Sequence, residues 1–398
     1  MYILSVSEKI LFFICGFGIL QGVLLAGLLY LHPKSDRSVN FFLALYIFST
    51  SLIMSLPLIL QAVGWQNAFW IQPVPLLPGP FLYLYMRSLK ERISWRKALP
   101  HFIPFFAFFF ISYWNMSYLS RQYPDAANIP GEVLNRPLSI LLIFVKPMQG
   151  VVYYFLARKT LLSYQHSIRH LFSDTSHINL NWARFLTNGY LVLVLTFVIF
   201  FPIMMRYPEQ FNLLLLINMA IATPYIYGAT YKGFMQLTIW QVQPGINKEA
   251  VEVEMKEVEN IPTIDSEKPK VPRSTMNEGK VDDLINKIIL LMEQEKIFQE
   301  PELTLHQVAG KLQTPTYQVS QALNEGMKKS FYDLVNGYRV EESKRLLLDS
   351  KNSNYTILSV GFEAGFNSKT TFNTVFKKFT GLTPTEYRDK QRTSQMVS

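Results

Sequence analysis

The amino-acid sequence predicts an all-α chain in two parts, a transmembrane bundle of seven helices followed by a soluble domain of short amphipathic helices. Three observations predict it. Seven apolar runs, near 10–31, 39–63, 68–89, 99–119, 138–162, 185–205 and 211–231, approach or exceed the ~20 residues that a helix needs to cross a bilayer. After residue 279 the apolar residues instead recur at i, i+3, i+4 and i+7, the period of half-buried helices. Charge also divides unevenly. Residues 1–232 carry 17 Lys and Arg against 7 Asp and Glu, residues 233–278 carry 5 against 8, and residues 279–398 carry 16 against 14. The net charge of +9 therefore comes from the apolar half, where basic residues report membrane orientation more than nucleic-acid binding. The expected domains are a membrane domain over 1–232, an acidic linker over 233–278 and a soluble domain over 279–398.

Each apolar run is justified in turn. The third holds Pro73, Pro75, Pro78 and Pro80, which a membrane helix tolerates only where neighbours satisfy the freed backbone groups, so it is expected inside the bundle. Loops on one side carry Lys34, Arg37, Arg87, Lys90, Arg92, Arg96, Lys97, Arg158, Lys159, Arg169 and Arg184, with Lys232 after the last run. The other side has Lys9, Arg121, Arg136 and Arg206. The positive-inside rule then places the N-terminus outside and the C-terminus in the cytoplasm. The first run has Glu8 beside Lys9, no small-residue cleavage site and six runs behind it, so it reads as a retained helix. Cys15, the single cysteine, supports neither a disulfide framework nor a zinc site.

Lys146, followed by Pro147, lies within the fifth run. A Lys near the bilayer centre costs about 2.5–3.5 kcal/mol, so it is expected to face the bundle interior or a wet cavity. It is the candidate membrane signal site; the plainer alternative is a structural Lys paired with polar neighbours. The outer loop 120–137 reads as a solvated connector. In the fifth loop, His166 and His170 share a helix face at a spacing that metals use, with Asp174 and His177 close by. Their basic and aromatic surroundings read instead as a helix at the membrane surface, and no metal is expected.

From Gln241 to Arg273 the chain turns acidic and Pro-punctuated. Val251, Val253, Met255 and Val258 are spaced too closely for a coiled coil, so a flexible tether is expected. Beyond it, Val281, Leu284, Ile285, Ile288 and Met292 mark one face of a helix. Thr304 and Gln307 form a capping box before Leu305, Val308, Ala309 and Leu312. Pro315 opens a further helix in which Val319, Ala322 and Leu323 point inward, while Thr316, Tyr317, Ser320, Gln321 and Asn324 point outward. Phe331 to Asp349 reads as one long connecting helix, buried through Phe331, Leu334, Val335, Tyr338, Leu346 and Leu347.

The stretch from Tyr355 to Arg388 reads as helix, tight Gly turn, helix and capped closing helix. Phe372, Val375, Phe376 and Phe379 form a buried stripe, leaving Lys369, Thr370, Asn373, Thr374 and Lys377 in front. A short helix held by aromatics from behind, with donors in front, suits the DNA major groove. Gly365, Phe366, Phe372, Phe376, Lys377, Lys378, Gly381, Pro384, Tyr387 and Arg388 resemble the second helix-turn-helix of the AraC/XylS family of transcription regulators. Leu303, Thr304, Ala309 and Leu312 are similar to the family's first such motif. The resemblance covers about residues 280–392. It departs at Gln313, where many members have Gly, and at Gln321 and Thr374, where Arg is common.

The resemblance implies a DNA-binding transcription regulator with two reading heads and double-stranded DNA as partner. Tyr317, Ser320 and Gln321 in the first head, and Lys369, Thr370, Asn373 and Thr374 in the second, would contact bases. Lys328, Lys329, Lys377 and Lys378 would contact phosphates. Homodimerisation is expected from the family alone. Joined to the apolar half, this describes a bacterial one-component regulator in the inner membrane, with lipid and an unknown signal as its other partners. No cofactor and no enzymatic activity are expected, because no paired carboxylates, nucleotide-binding motif or metal-ligand pattern is present. Two alternatives stay open: a passive anchor from which cleavage in the linker releases the DNA-binding half, or a transporter-like protein with an appended DNA-binding domain.

Overall fold

The computed structural model describes residues 6–31, 37–56, 59, 69–123, 137–175, 180–207, 211–235, 278–349 and 354–397. Most of the linker, most of the outer loop 120–137 and His177 lie outside the described residues, as does the side chain of Cys15. All named elements are helical, and one isolated antiparallel bridge, Phe172 with Thr304, is the only strand-like pairing among the described residues. The chain forms two compact units. Met1–Leu162 and Leu180–Thr238 make the first; Ser163–Asn179 and Ile239–Ser398 make the second.

In the first unit, α1 (Val6–Leu31) packs on α2 (Arg37–Met54), which packs on α3 (Pro78–Ser88). Gly22 is needed where α1 meets α2, since a Cβ there would lie 2.1 Å from that of Ser51. Next come α4 (Ile103–Gln122), α5 (Pro137–Leu171), α6 (Asn181–Arg206) and α7 (Phe211–Met235). Buried tyrosines tie three of these helices together. Tyr225 on α7 donates to the Leu186 carbonyl of α6 at 2.8 Å, which leaves the Tyr46 hydroxyl on α2 to donate to Tyr225.

The third predicted run is not one membrane-length helix. A 3-10 turn at Val74–Leu76 precedes α3, whose 11 residues rise only ~16 Å. The cause is its prolines, which lack the N–H that a continuous helix requires. As expected of a broken segment, it is buried: Ile71, Leu76, Leu82, Leu84, Tyr85 and Met86 are inaccessible.

Two described stretches, Trp95–Gln122 and Asn181–Ile203, are long and apolar enough to cross a membrane, against seven predicted runs. Only 17% and 22% of their most apolar portions are buried. Phe106, Phe110, Trp114, Val198 and Ile199 all face outward. Lys146, half-buried on α5, donates to Gln72 Oε1 at 3.1 Å and lies 5.1 Å from the Phe108 ring. A neutral amide oxygen thus partners the ammonium, as the structural alternative anticipates.

The second unit begins its continuous part with α8 (Glu278–Glu293), whose Val281, Leu284, Ile288 and Met292 are buried. Then follow α9 (Leu305–Lys311), α10 (Thr316–Gln321, continued by a π-helical turn over Ala322–Met327), α11 (Phe331–Leu348) and α12 (Ile357–Glu363). The last two are α13 (Lys369–Thr380) and α14 (Pro384–Val397). The capping box closes as predicted, with Gln307 N–H donating to Thr304 Oγ1 at 3.2 Å and Thr304 N–H to Gln307 Oε1 at 2.8 Å.

On α11 the apolar stripe predicts the buried Phe331, Leu334, Val335 and Leu347, but Asn336, Arg339 and Ser343 are fully buried too. Arg339 explains why this is tolerated. Its Nε donates to Phe298 O at 2.7 Å, and its Nη2 to Glu300 O at 2.6 Å, Pro301 O at 3.2 Å and Ser173 Oγ at 3.3 Å. Burial pulls its guanidinium down to about 10, which leaves it charged at neutral pH.

Candidate nucleic-acid interface

The second head is set by its helix start. Ser368, in extended conformation, accepts from Thr371 N–H at 3.1 Å and so begins α13 at Lys369. Behind α13, Phe372, Val375 and Phe376 join Phe366, Val360, Ala364, Val340 and Leu347 in one buried cluster. The turn before it needs glycine: Gly365 has φ +94°, and a Cβ there would lie 2.6 Å from Phe298 O. In front, Lys369, Thr370, Thr374 and Lys377 are exposed and Asn373 is half-buried. Phe379, expected on the buried stripe, is 40% exposed. It sits in the last turn beside Lys378, whose ammonium is 5.4 Å from its ring.

The first head differs from expectation in two side chains. Ser320, expected to contact a base, is only 1% exposed and its Oγ has no hydrogen-bond partner. Thr316, also expected to point outward, is buried. Both flank the arc of Val319, Ala322 and Leu323, and helix geometry turns them toward the interior. Tyr317 is exposed, and Gln321 is half-buried with its amide donating to Glu325 Oε2 at 3.0 Å. Gln313 has φ +49°, in the left-handed region that favours glycine.

Among the expected phosphate contacts, Lys328, Lys329, Lys377 and Lys378 are all exposed. Lys378 is held back from the role: its Nζ pairs with Asp333 Oδ1 at 2.8 Å and lies 5.6 Å from the Tyr332 ring. Burial raises the Asp333 carboxyl, but hydrogen bonds from Lys378 and Ser330 outweigh it and leave the group below its ordinary value. Lys377→Ala is therefore expected to weaken DNA binding uniformly across sequences and to reduce the slope of log affinity on log salt by about 1. Lys378→Ala should lower that slope less. Salt titrations of both variants check this.

Residues 308–390 match a protein-family model described as a helix-turn-helix domain. The matched stretch runs from within α9 to within α14 and so takes in both reading heads. The C-terminal region is an AraC-type helix-turn-helix domain. No curated protein and no solved structure matches the chain. The match supports a DNA-binding transcription regulator. The buried Asn336 and Arg339 are not among the residues that the apolar pattern picks out. Their signal was present: 336, 339, 340, 343 and 347 continue the buried i, i+3, i+4 stripe with polar members.

Proposed function

We propose that the protein is a membrane-embedded one-component regulator that reads DNA in a sequence-specific way through two heads and is controlled from its membrane part. The observation that carries the DNA-reading part is α13, capped by Ser368, anchored by three buried apolar residues and presenting Lys369, Thr370, Thr374 and Lys377 outward. The 18 residues of α11 rise ~27 Å. A rod of that length suits two heads on successive major-groove faces ~34 Å apart. Base contacts fall to Tyr317, Gln321, Lys369, Thr370, Asn373 and Thr374; Ser320 drops out.

Outward-facing apolar side chains on α4 and α6, together with a polar pair of Lys146 and Gln72, support a lipid-embedded bundle. Seven crossings, the third made by the broken segment around α3, place the N-terminus outside and the DNA-binding domain in the cytoplasm. Lys146 and Pro147 form the candidate signal site.

The test is selection of duplexes from a random pool by the full chain in lipid nanodiscs, followed by Lys146→Ala. A selected consensus is expected, and affinity for it should shift about five-fold or more on Lys146→Ala, the scale of ordinary allosteric coupling. No enriched sequence would refute DNA reading; enrichment with occupancy indifferent to Lys146 would refute control through that site.

A further inference from the structure

The AraC-type domain is not built from the C-terminal stretch alone. Residues 163–179, the connection between α5 and α6, belong to the same compact unit. The last turns of α5 and the residues just after it form a strap over 166–174 whose contacts reach three parts of the domain. Ser173 N–H donates to Leu303 O at 3.2 Å and its Oγ to the same carbonyl at 2.6 Å, beside the Phe172–Thr304 bridge. On α11, Asn336 Nδ2 donates to Ser173 O at 2.9 Å, and Arg339 approaches Ser173 Oγ at 3.3 Å. In the first head, Asn324 Nδ2 lies 3.4 Å from His170 Nδ1. Arg169 stacks 5.2 Å over Tyr332, the ring that also faces Lys378 of α13. Ile168, His170, Leu171, Phe172 and Ser173 are all buried.

His170 explains how the strap keeps its shape. Its Nδ1 accepts from Asn324, so its Nε2 carries the proton and donates to His166 Nε2 at 3.1 Å. Burial, then the neighbouring His166, push the His170 imidazole down to about 4. His170 is thus a neutral imidazole at physiological pH, held between Asn324 and His166. A surface-lying membrane helix would not show this pattern, since its polar side chains would face water.

We propose that residues 166–174 complete the DNA-binding domain in cis and are the route by which α5 sets the position of its reading heads. The same helix, α5, carries Lys146 at its other end, so a signal site and the strap share one element. The strap's part in DNA binding rests on the regulator reading above, and its part in coupling rests on control through Lys146. A fragment cut free in the linker would leave the strap behind, with Asn336 and Arg339 deprived of Ser173. The strap therefore disfavours release by linker cleavage as a way of making an active regulator.

The test uses the full chain in lipid nanodiscs, a duplex selected by the wild-type protein, and three variants: Ser173→Ala, Arg169→Ala and Lys146→Ala. Binding is read by fluorescence anisotropy and local opening by hydrogen exchange at 302–305 and 331–340. Ser173→Ala is expected to speed exchange in both segments and to weaken duplex binding about five-fold, since the hydroxyl's two buried bonds, to Leu303 O and from Arg339 Nη2, are lost while the backbone bonds of Ser173 remain. Arg169→Ala, at an exposed position, folds regardless and should weaken binding about two-fold. The effect of Lys146→Ala should shrink in the Ser173→Ala background, because two changes on one coupling route are not additive. Unchanged exchange and affinity in both strap variants would overturn the proposal. So would tighter binding, which would make the strap a cover instead of a component, and so would full additivity with Lys146→Ala. If the wild-type chain selects no duplex, the regulator reading fails, while the exchange measurement still decides whether the strap is part of the domain.

Discussion

Arg339→Leu is expected to open the second unit while leaving the first intact. The side chain is fully buried, and its donors satisfy three backbone carbonyls in the loop 297–301. Leucine fills much of the volume and removes the cost of a buried charge, which alone is close to neutral. It cannot supply donors, however: orphaning the buried Phe298 carbonyl costs about 1–3 kcal/mol, and the part-buried bonds to Glu300 O and Pro301 O are lost with it. A total of about 3–5 kcal/mol is a large part of the 5–15 kcal/mol that holds a domain together. Hydrogen exchange of the full chain checks this. Protection should be lost over 297–304 and 331–348 and kept in α4 and α6. Arg339→Lys should recover only part of it, because one ammonium cannot match the forked donors of a guanidinium.

Gly365→Ala is the second large effect, and it acts on the second head. The new methyl would meet three backbone atoms, Phe298 O at 2.6 Å, Gln299 Cα at 2.7 Å and Gln299 O at 2.9 Å, and none can swing aside as a side chain does. The φ of +94° adds its own strain, about 1–2 kcal/mol for a residue with a Cβ. Because the loop 297–301 is pinned by Arg339, the clash must push the turn between α12 and α13 outward. DNA affinity is expected to fall at least ten-fold, the change that about 1.4 kcal/mol produces. Gly381→Ala provides the contrast. It too has positive φ, at +79°, but its Cβ would enter open space, so only the conformational cost of about 1 kcal/mol applies. Equal losses in the two variants would contradict this account of Gly365.

Both effects converge on one loop, and this shows what the sequence could and could not tell. Periodicity was enough to place α8 to α14, because each buries a stripe at helical spacing, and α9, α10 and α14 also carry start signals at Thr304, Pro315 and Pro384. The second head was legible almost residue by residue, since three of its four stripe residues and its five frontal groups follow from one turn angle. Phe379 escaped because it lies in the last turn, where its ring edge lies over Gly337 of α11 while 40% of the residue stays exposed. Ser320 escaped for a related reason. It sits at the border of the buried arc, and a 100° step per residue leaves such positions undecided until the neighbours are known.

Long-range polar contacts were not legible in the same way. Nothing local marks Ser173 as a partner of Leu303, Asn336 and Arg339, residues 130 or more positions later. The basic and aromatic loop around His166 and His170 fitted a membrane surface on composition, while its buried contacts belong to the second unit. The third apolar run shows the reverse case: its prolines forecast both a break and burial, and both are present around α3.

The central claim, that the membrane-embedded chain reads DNA with both heads, is tested most directly by hydroxyl-radical footprinting of the full protein in lipid nanodiscs on a selected duplex. The account predicts two protected patches on one face of the DNA, about one helical turn or 10 base pairs apart. Gly365→Ala should erase the patch of the second head and leave the other. A single patch in the wild-type protein, or two patches that both survive Gly365→Ala, would contradict it.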